Sequence, residues 1–347
     1  MKYFYTAIII TTILIIGLYS YKQNLFSFTQ LPYDAEQENL DEQIIIHFSH
    51  VVAENTPKGM AAARFAQLVT EKTEGQIVVQ VYPNGILYKD NTEVEALRNN
   101  DIQMIAPTFS KLTQFDNAWE VLDLPFVIES HEQLYNILNG TLQNELMQTL
   151  EAQNMKGLKF WSNGFKQIAT NDTTISTLDD FHKLRIRIMK SPLLEAQFTA
   201  LGAQPVQTTF DDVFDQLENN VINSQDNTLS NLYSKGFHTF EKNITISNHG
   251  ILGYALIVNN DFWETLETEH QQAIHEALEE MQRWQFEQSI ALNVEAYEQL
   301  EALEDTSLHT LPETTKKAWQ QQLNSLYANY HDNIYYQSLI KDLNKTE

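Results

Sequence analysis

Two hydrophobic periods alternate along most of this chain. Ile44-Ile45-Ile46-His47-Phe48-Ser49 is a short β-rich apolar run, and Thr56-Pro57 then opens a helical pattern with Ala61, Ala62, Phe65, Ala66 and Val69 on one side. Gly75 ends that helix, and Ile77-Val78-Val79-Gln80-Val81-Tyr82 reads as a second strand stopped by Pro83-Asn84-Gly85. A helix over 92–99 and a strand over 102–107 follow. This β-α-β-α-β order predicts a mostly parallel sheet with helices on its faces. The rhythm restarts later, with strands at 158–161, 167–170, 184–189 and 254–258 and helices at 191–201 and 210–219. From Thr268 to about Leu303 there is no Gly or Pro, and the segment reads as one helix. At 1.5 Å per residue it spans roughly 50 Å, more than one small domain is wide. Its apolar positions (Ile274, Leu278, Met281, Trp284, Ile290, Leu292, Ala296, Leu300) keep no strict heptad, which favours a brace between two domains over a coiled coil.

The N-terminus has a different pattern. Lys2 precedes an uncharged, largely apolar run over 3–21, and Lys22 closes it. Residues 1–30 read as an export leader, either removed as a signal peptide or kept as a membrane anchor through residues 4–21. No clear Ala-x-Ala site follows the run. Residues 31–42 form a polar linker, and the folded region begins near Gln43.

Composition narrows the function classes. With 22 basic against 46 acidic side chains the chain carries a net charge of −24, which disfavours nucleic acid as a partner. There are no cysteines, so disulfides, thiolate metal sites, a Cys nucleophile and lipid attachment at an N-terminal cysteine are excluded. The Gly-rich dinucleotide and phosphate loops and the Gly-x-Ser-x-Gly elbow are missing. His47 and His50, three apart at a strand end, point to opposite faces. The expectation is a chain that is not an enzyme and uses no cofactor or metal.

One segment departs from the acidic background. Lys183-Leu184-Arg185-Ile186-Arg187-Ile188-Met189-Lys190 holds four of the 22 basic residues. Alternation sets Leu184, Ile186 and Ile188 on one face and Arg185 and Arg187 on the other. Such a strand is either a half-exposed edge with solvated charges or an anion clamp, in which an Arg at the strand's C-terminal end holds a carboxylate beside a cleft.

The chain resembles the extracytoplasmic solute-binding proteins of tripartite ATP-independent periplasmic (TRAP) transporters, in particular their dicarboxylate-binding branch. The matching stretches are Phe48-Ser49-His50-Val51-Val52, Asn55-Thr56-Pro57-Lys58-Gly59, Val81-Tyr82-Pro83-Asn84, Leu122-Asp123-Leu124-Pro125-Phe126, Trp161-Ser162-Asn163-Gly164-Phe165-Lys166-Gln167, the segment 184–191, Leu194-Glu195-Ala196-Gln197-Phe198, Leu201-Gly202-Ala203 and Ser247-Asn248-His249-Gly250. The resemblance implies an α/β, two-domain periplasmic-binding-protein-like (Venus flytrap) fold with a long helix spanning both domains. The domains are expected at 43–164, with about 253–292 returning to it, and at 165–252, with about 293–347 packing on it.

The same resemblance implies the site. Its central arginine falls on Arg187, a second polar contact near Lys166, a ligand-facing asparagine on Asn227, an aromatic wall on Phe210, and a further contact on His50. Without the resemblance, Lys166 reads equally as solvated, His50 as a core histidine, Phe210 as packing and Asn227 as a helix cap. The implied function is capture of a small organic anion, a C4-dicarboxylate, by hinge closure outside the cytoplasm and delivery to TRAP membrane subunits. Alternatives are another organic acid (a sugar acid, an aromatic or keto acid) and a membrane-tethered sensing domain. Asn227-Thr228-Leu229-Ser230 lacks the Trp of the branch's usual stretch, which predicts an enlarged pocket wall at Leu229.

Overall fold

The computed structural model describes residues 43–345, so the leader and linker assigned to residues 1–42 lie outside the described residues. From Ile44 onward the chain forms one compact unit. A first lobe runs through β1 (Ile44–Ser49), α1 (Pro57–Lys72), β2 (Ile77–Tyr82), α2 (Glu93–Arg98), β3 (Met104–Ile105), α3 (Phe109–Leu112), α4 (His131–Leu138) and α5 (Thr141–Gln148). β4 (Met155–Thr170) leaves it for a second lobe of β5 (Arg185–Ile188), α6 (Pro192–Ala200), β6 (Gln204–Gln207), α7 (Val213–Glu218), β7 (Ser224–Asn227) and α8 (Leu229–Ser234). β8 (Asn243–Asn259) returns, followed by α9 (Asn260–Thr265), the long α10 (Thr268–Glu301), β9 (Ser307–Thr310), α11 (Glu313–Gln322), α12 (Asn324–Ala328) and α13 (Ile334–Leu343).

The nine strands of the described residues join one sheet in the order β2-β1-β3-β8-β4-β7-β5-β6, with β9 on the far part of β8. β1 pairs in parallel with β2 and β3, and β5 in parallel with β6 and β7, so each lobe has the parallel core that the rhythm predicts. β3 keeps only two residues of the strand expected over 102–107. Pro107 cannot donate to a ladder, and its carbonyl instead accepts from Ala255 N at 3.0 Å.

The larger difference from the sequence reading is in β4 and β8. The separate strands at 158–161 and 167–170 are one strand of 16 residues, and the strand at 254–258 is the end of one of 17 residues. They run antiparallel through both lobes. Their pairing slips between Gly157 and Lys159, between Ser162 and Gly164, and between Lys166 and Ile168. Each slip is a bulge that breaks the period-2 pattern. Gly164 takes a φ of +103°, a conformation that glycine alone adopts without strain.

α10 braces this junction; Ile274, Leu278, Met281, Ala296 and Leu300 are buried as expected, whereas Trp284, Ile290 and Leu292 are only half-buried and Gln282, Gln285 and Ser289 are buried in the middle of the helix. It packs on α1 and β4 in the first lobe and on α8 and β9 in the second. Where the β4 ladder slips, Gln285 supplies both lost partners. Its Oε1 accepts from Ser162 N at 2.9 Å and its Nε2 donates to Ser162 O at 2.7 Å. Asn293 donates to Asn163 O at 2.8 Å and accepts from Ser230 N at 3.1 Å, tying β4 to α8. The tail divides between the lobes. β9 pairs with Asn243–Ile246 of β8, whereas α13 packs on α4 and α5, where Asp342 Oδ2 accepts from Leu142 N at 2.9 Å.

Candidate functional site

Between the lobes lies a cavity of about 890 Å³. Its walls come from the turn after β1 and the start of α1 (Val51, Val52, Lys58), from Asp90 and Lys111, from the C-terminal ends of β5 and β7, and from Thr208 to Phe210. Exposed Asn91, Glu95 and Arg98 are also among its lining residues. Strand C-terminal ends facing a crevice are the usual ligand position in open α/β sheets.

Arg187 is the second-lobe cation. It sits on β5 between Val206 of β6 and Gln225 of β7, so it is covered on both sides and is only 3% exposed. The solvated-edge reading of this strand therefore does not hold at Arg187. Its Nε donates to Thr208 O at 3.2 Å. Burial lowers its pKa, opposed by Asp226, Asp90 and Glu241. Glu241 is itself buried beside Gln225, and burial drives its pKa well above the ordinary carboxylate range, which leaves it a weak counter-ion. Arg185, two residues earlier, is half-buried and turned away from the cavity. Its Nε donates to Val221 O and its Nη2 to Asn220 O, both at 3.0 Å.

The first-lobe cation is Lys58, which the sequence reading quoted within a motif but gave no role. Thr56 caps α1 by accepting from Gly59 N at 3.2 Å, and Pro57 fixes the first turn. That start points Lys58 inward, where its Nζ donates to Ala106 O at 2.9 Å and lies 4.0 Å from the centroid of the Tyr254 ring. Burial lowers its pKa to about 8. Among the described residues neither Lys58 nor Arg187 is ion-paired to a carboxylate, and each hydrogen-bonds a backbone carbonyl. Lys111, also on the wall, is already held by Asp90 at 2.9 Å and Glu93 at 3.1 Å.

Asn227 and Phe210 line the cavity too. Asn227 Oδ1 accepts from Thr228 N at 2.9 Å and Asn231 Nδ2 at 3.0 Å, and its Nδ2 donates to Gln225 at 2.9 Å. An amide has two N–H donors, so one remains for the cavity. Phe210 packs edge-on against Phe237, with ring centroids 5.9 Å apart.

The other two candidates lie elsewhere. Lys166 and His50 are fully buried but do not line the cavity. Lys166 Nζ lies 2.6 Å from Asp226 Oδ2, an ion pair beneath the cavity. His50 packs edge-on against Phe48, and burial first, then Lys58, lowers its pKa to about 3, so it is a neutral core histidine. Leu229 is also absent from the cavity wall. It packs in the apolar cluster with Ala169, Val213 and Leu217, so the missing Trp does not widen the pocket at that position.

The lobes touch across the cleft. Asp90 N donates to Asp211 Oδ2 at 2.8 Å, and Phe210 N donates back to Asp90 Oδ2 at 3.3 Å. Lys235 Nζ donates to Asn84 Oδ1 at 3.2 Å. Burial would raise the Asp90 pKa, but Lys111, Arg187 and the Phe210 amide outweigh it and lower it, so Asp90 stays charged in this clasp.

Residues 48–333 match the sequence model of the bacterial extracellular solute-binding proteins, family 7. The chain belongs to this family. It is 41% identical over 334 residues to the C4-dicarboxylate-binding protein DctB of Bacillus subtilis, covering 96% of this chain and 94% of that one. It is 37% identical over 296 residues to the C4-dicarboxylate-binding periplasmic protein DctP of Rhodobacter capsulatus, covering 85% and 89%. Among solved structures, a TRAP periplasmic solute-binding protein of Sulfurospirillum deleyianum with bound succinate superposes with a TM-score of 0.80 at 32% identity, covering 87% of this chain and 99% of that one. One from Pseudomonas aeruginosa with bound L-malate superposes with a TM-score of 0.80 at 33% identity, covering 83% and 100%. The family 7 fold is thus the two-domain α/β fold with a long bracing helix that this chain adopts.

Proposed function

We propose that this chain is an exported solute-binding protein that captures a C4-dicarboxylate between its lobes and delivers it to TRAP membrane subunits. Two buried cations carry the reading. Lys58 from the first lobe and Arg187 from the second line one cavity, and among the described residues neither is ion-paired to a carboxylate. A small diacid supplies one carboxylate to each. Arg187 takes its carboxylate through two parallel N–H bonds, Lys58 takes the other as a point charge, and the free N–H of Asn227 and the Phe210 ring complete the second-lobe wall. The names of the relatives above support the same ligand class. No covalent step is needed, and the work is done by closure, because a ligand that touches both lobes binds the closed state better than the open one.

The leader at residues 1–30 and the extracellular family support a position outside the cytoplasm. A chain with charge −24 repels a dianion at long range, so the local field of Lys58 and Arg187 must draw it in.

Closure gives a direct test. Saturating succinate should reduce the radius of gyration of the purified protein in small-angle scattering. Asp211→Ala removes the acceptor of the interlobe clasp and lies outside the cavity wall. It should release succinate roughly ten times faster in stopped-flow experiments, the cost of one charge-assisted hydrogen bond. An unchanged scattering profile at saturation would sink the closure mechanism.

A further inference from the structure

Lys166 is buried, charged and unused by the cavity, and its surroundings say what it does. It leaves β4 at a bulge, opposite Gly250 of β8, where a Cβ would sit 3.0 Å from Lys166 Cε. The missing side chain at Gly250 therefore makes room for the lysine stem. The ammonium ends 2.6 Å from Asp226 Oδ2, and both side chains are buried, at 2% and 0% exposure. Asp226 is next in β7 to Gln225, which pairs with Arg187 across the sheet, and it contributes to the cavity lining. Its charge is thus close to the carboxylate that Arg187 receives.

The remaining groups around Asp226 are poor substitutes for Lys166. His249 Nε2 is 3.8 Å from Asp226 Oδ2, but burial lowers the histidine pKa, so it is neutral. Asp123 accepts from Ser110 at 2.6 Å, and burial raises its pKa, so it brings no positive charge. Arg187 and Asp90 lie on the cavity side. Lys166 first, and His249 after it, hold Asp226 well below the ordinary carboxylate range despite its burial, so its negative charge is present at working pH values.

We propose that Lys166 is a positioning residue for ligand capture: it neutralises Asp226 beneath the cavity, so that the positive field of Arg187 is left for the ligand's carboxylate. This inference rests on the functional reading above. It differs from a direct ligand contact in one consequence. If Lys166 acts through Asp226, removing the carboxylate must make the lysine dispensable.

The test is a double-variant cycle read by calorimetry with succinate. Lys166→Met leaves Asp226 unpaired and should weaken succinate binding about tenfold or more, as an uncompensated charge in a low-dielectric site does. Asp226→Asn alone leaves the Lys166 charge uncompensated beneath an anion site and should bind succinate no more weakly than the wild type. Lys166→Met with Asp226→Asn leaves no unpaired charge at this position, should fold whether or not the single Lys166 variant does, and should bind within about threefold of the wild type. A folded double variant that still binds tenfold or more weaker would overturn the proposal, since Lys166 would then act on the ligand directly. So would a Lys166→Met variant that binds like the wild type. A wild type that binds none of succinate, malate and fumarate rejects the functional reading itself, and this inference with it.

Discussion

Replacing Arg187 by Ala should weaken succinate binding by about 2–5 kcal/mol, roughly thirtyfold to several-thousandfold. The size follows from burial. Arg187 is 3% exposed and its guanidinium is not ion-paired to any carboxylate among the described residues, so a bound carboxylate left without it sits unpaired in a closed cavity. Arg187→Lys should bind nearly as poorly, because an ammonium keeps the charge but loses the planar fork, and its shorter reach gives up the bond to Thr208 O. Arg185 is the internal control. It shares the strand and the charge, but it is spent on the carbonyls of Asn220 and Val221, outside the cavity. Arg185→Ala should cost under about 1 kcal/mol in affinity. Titration calorimetry on folded variants separates the cases, and equal small losses at both positions would return this strand to a merely charged edge.

Lys58→Met should have the second-largest effect, and a more selective one. It removes the partner of the distal carboxylate, so succinate should bind about thirtyfold to a thousandfold more weakly while butyrate, with one carboxylate, should change little. Arg187→Ala should lose both. The variant should fold well, since Lys58 is a buried ammonium with no carboxylate partner and its removal relieves a desolvated charge. The pH dependence carries a further signature. Burial holds the Lys58 pKa down to about 8, so the empty protein loses this charge as pH rises through about 8. A bound carboxylate favours the charged form and raises the pKa. Succinate affinity should therefore fall above about pH 8, by up to about tenfold per unit, with proton uptake on binding. Calorimetry near pH 9 in buffers of different ionisation enthalpy measures that uptake, which should vanish in Lys58→Met.

The elements that read well in the sequence are those whose burial is apolar. β1, β2, α1 and α10 appear where the periodicity puts them, because Phe65, Val69, Ile274 and Leu278 pack against other apolar residues and keep the period of their element. β4 and β8 read poorly because they are buried at the junction with polar side chains. Ser162, Asn163, Lys166 and His249 are all within a few per cent of complete burial, and their partners arrive from α8, α10 and β7. Three slips in register then remove the alternation that would have marked a single strand. No local rule reveals such a strand, since Asn163 and Lys166 meet partners distant in sequence, Thr228 and Asp226.

The site divides in the same way. Arg187 stood out because four basic residues crowd eight positions of an acidic chain. Lys58 did not, because Thr-Pro-Lys-Gly reads as an ordinary helix start and nothing nearby requires the lysine to be buried. Its environment comes from Ala106 and Tyr254, far along the chain. Lys166 is the reverse case: a basic residue in the expected segment, given to a buried carboxylate that only the strand pairing brings to it.

The most direct measurement is a calorimetric titration of the wild-type protein with succinate, malate, butyrate and gluconate under the same conditions. The two-cation cavity predicts one site per chain, with succinate and malate binding about a hundredfold or more tighter than butyrate, which satisfies only one cation. Gluconate should bind weakly, because it too has a single carboxylate. Succinate binding no tighter than butyrate, or gluconate binding tighter than both diacids, would contradict the account.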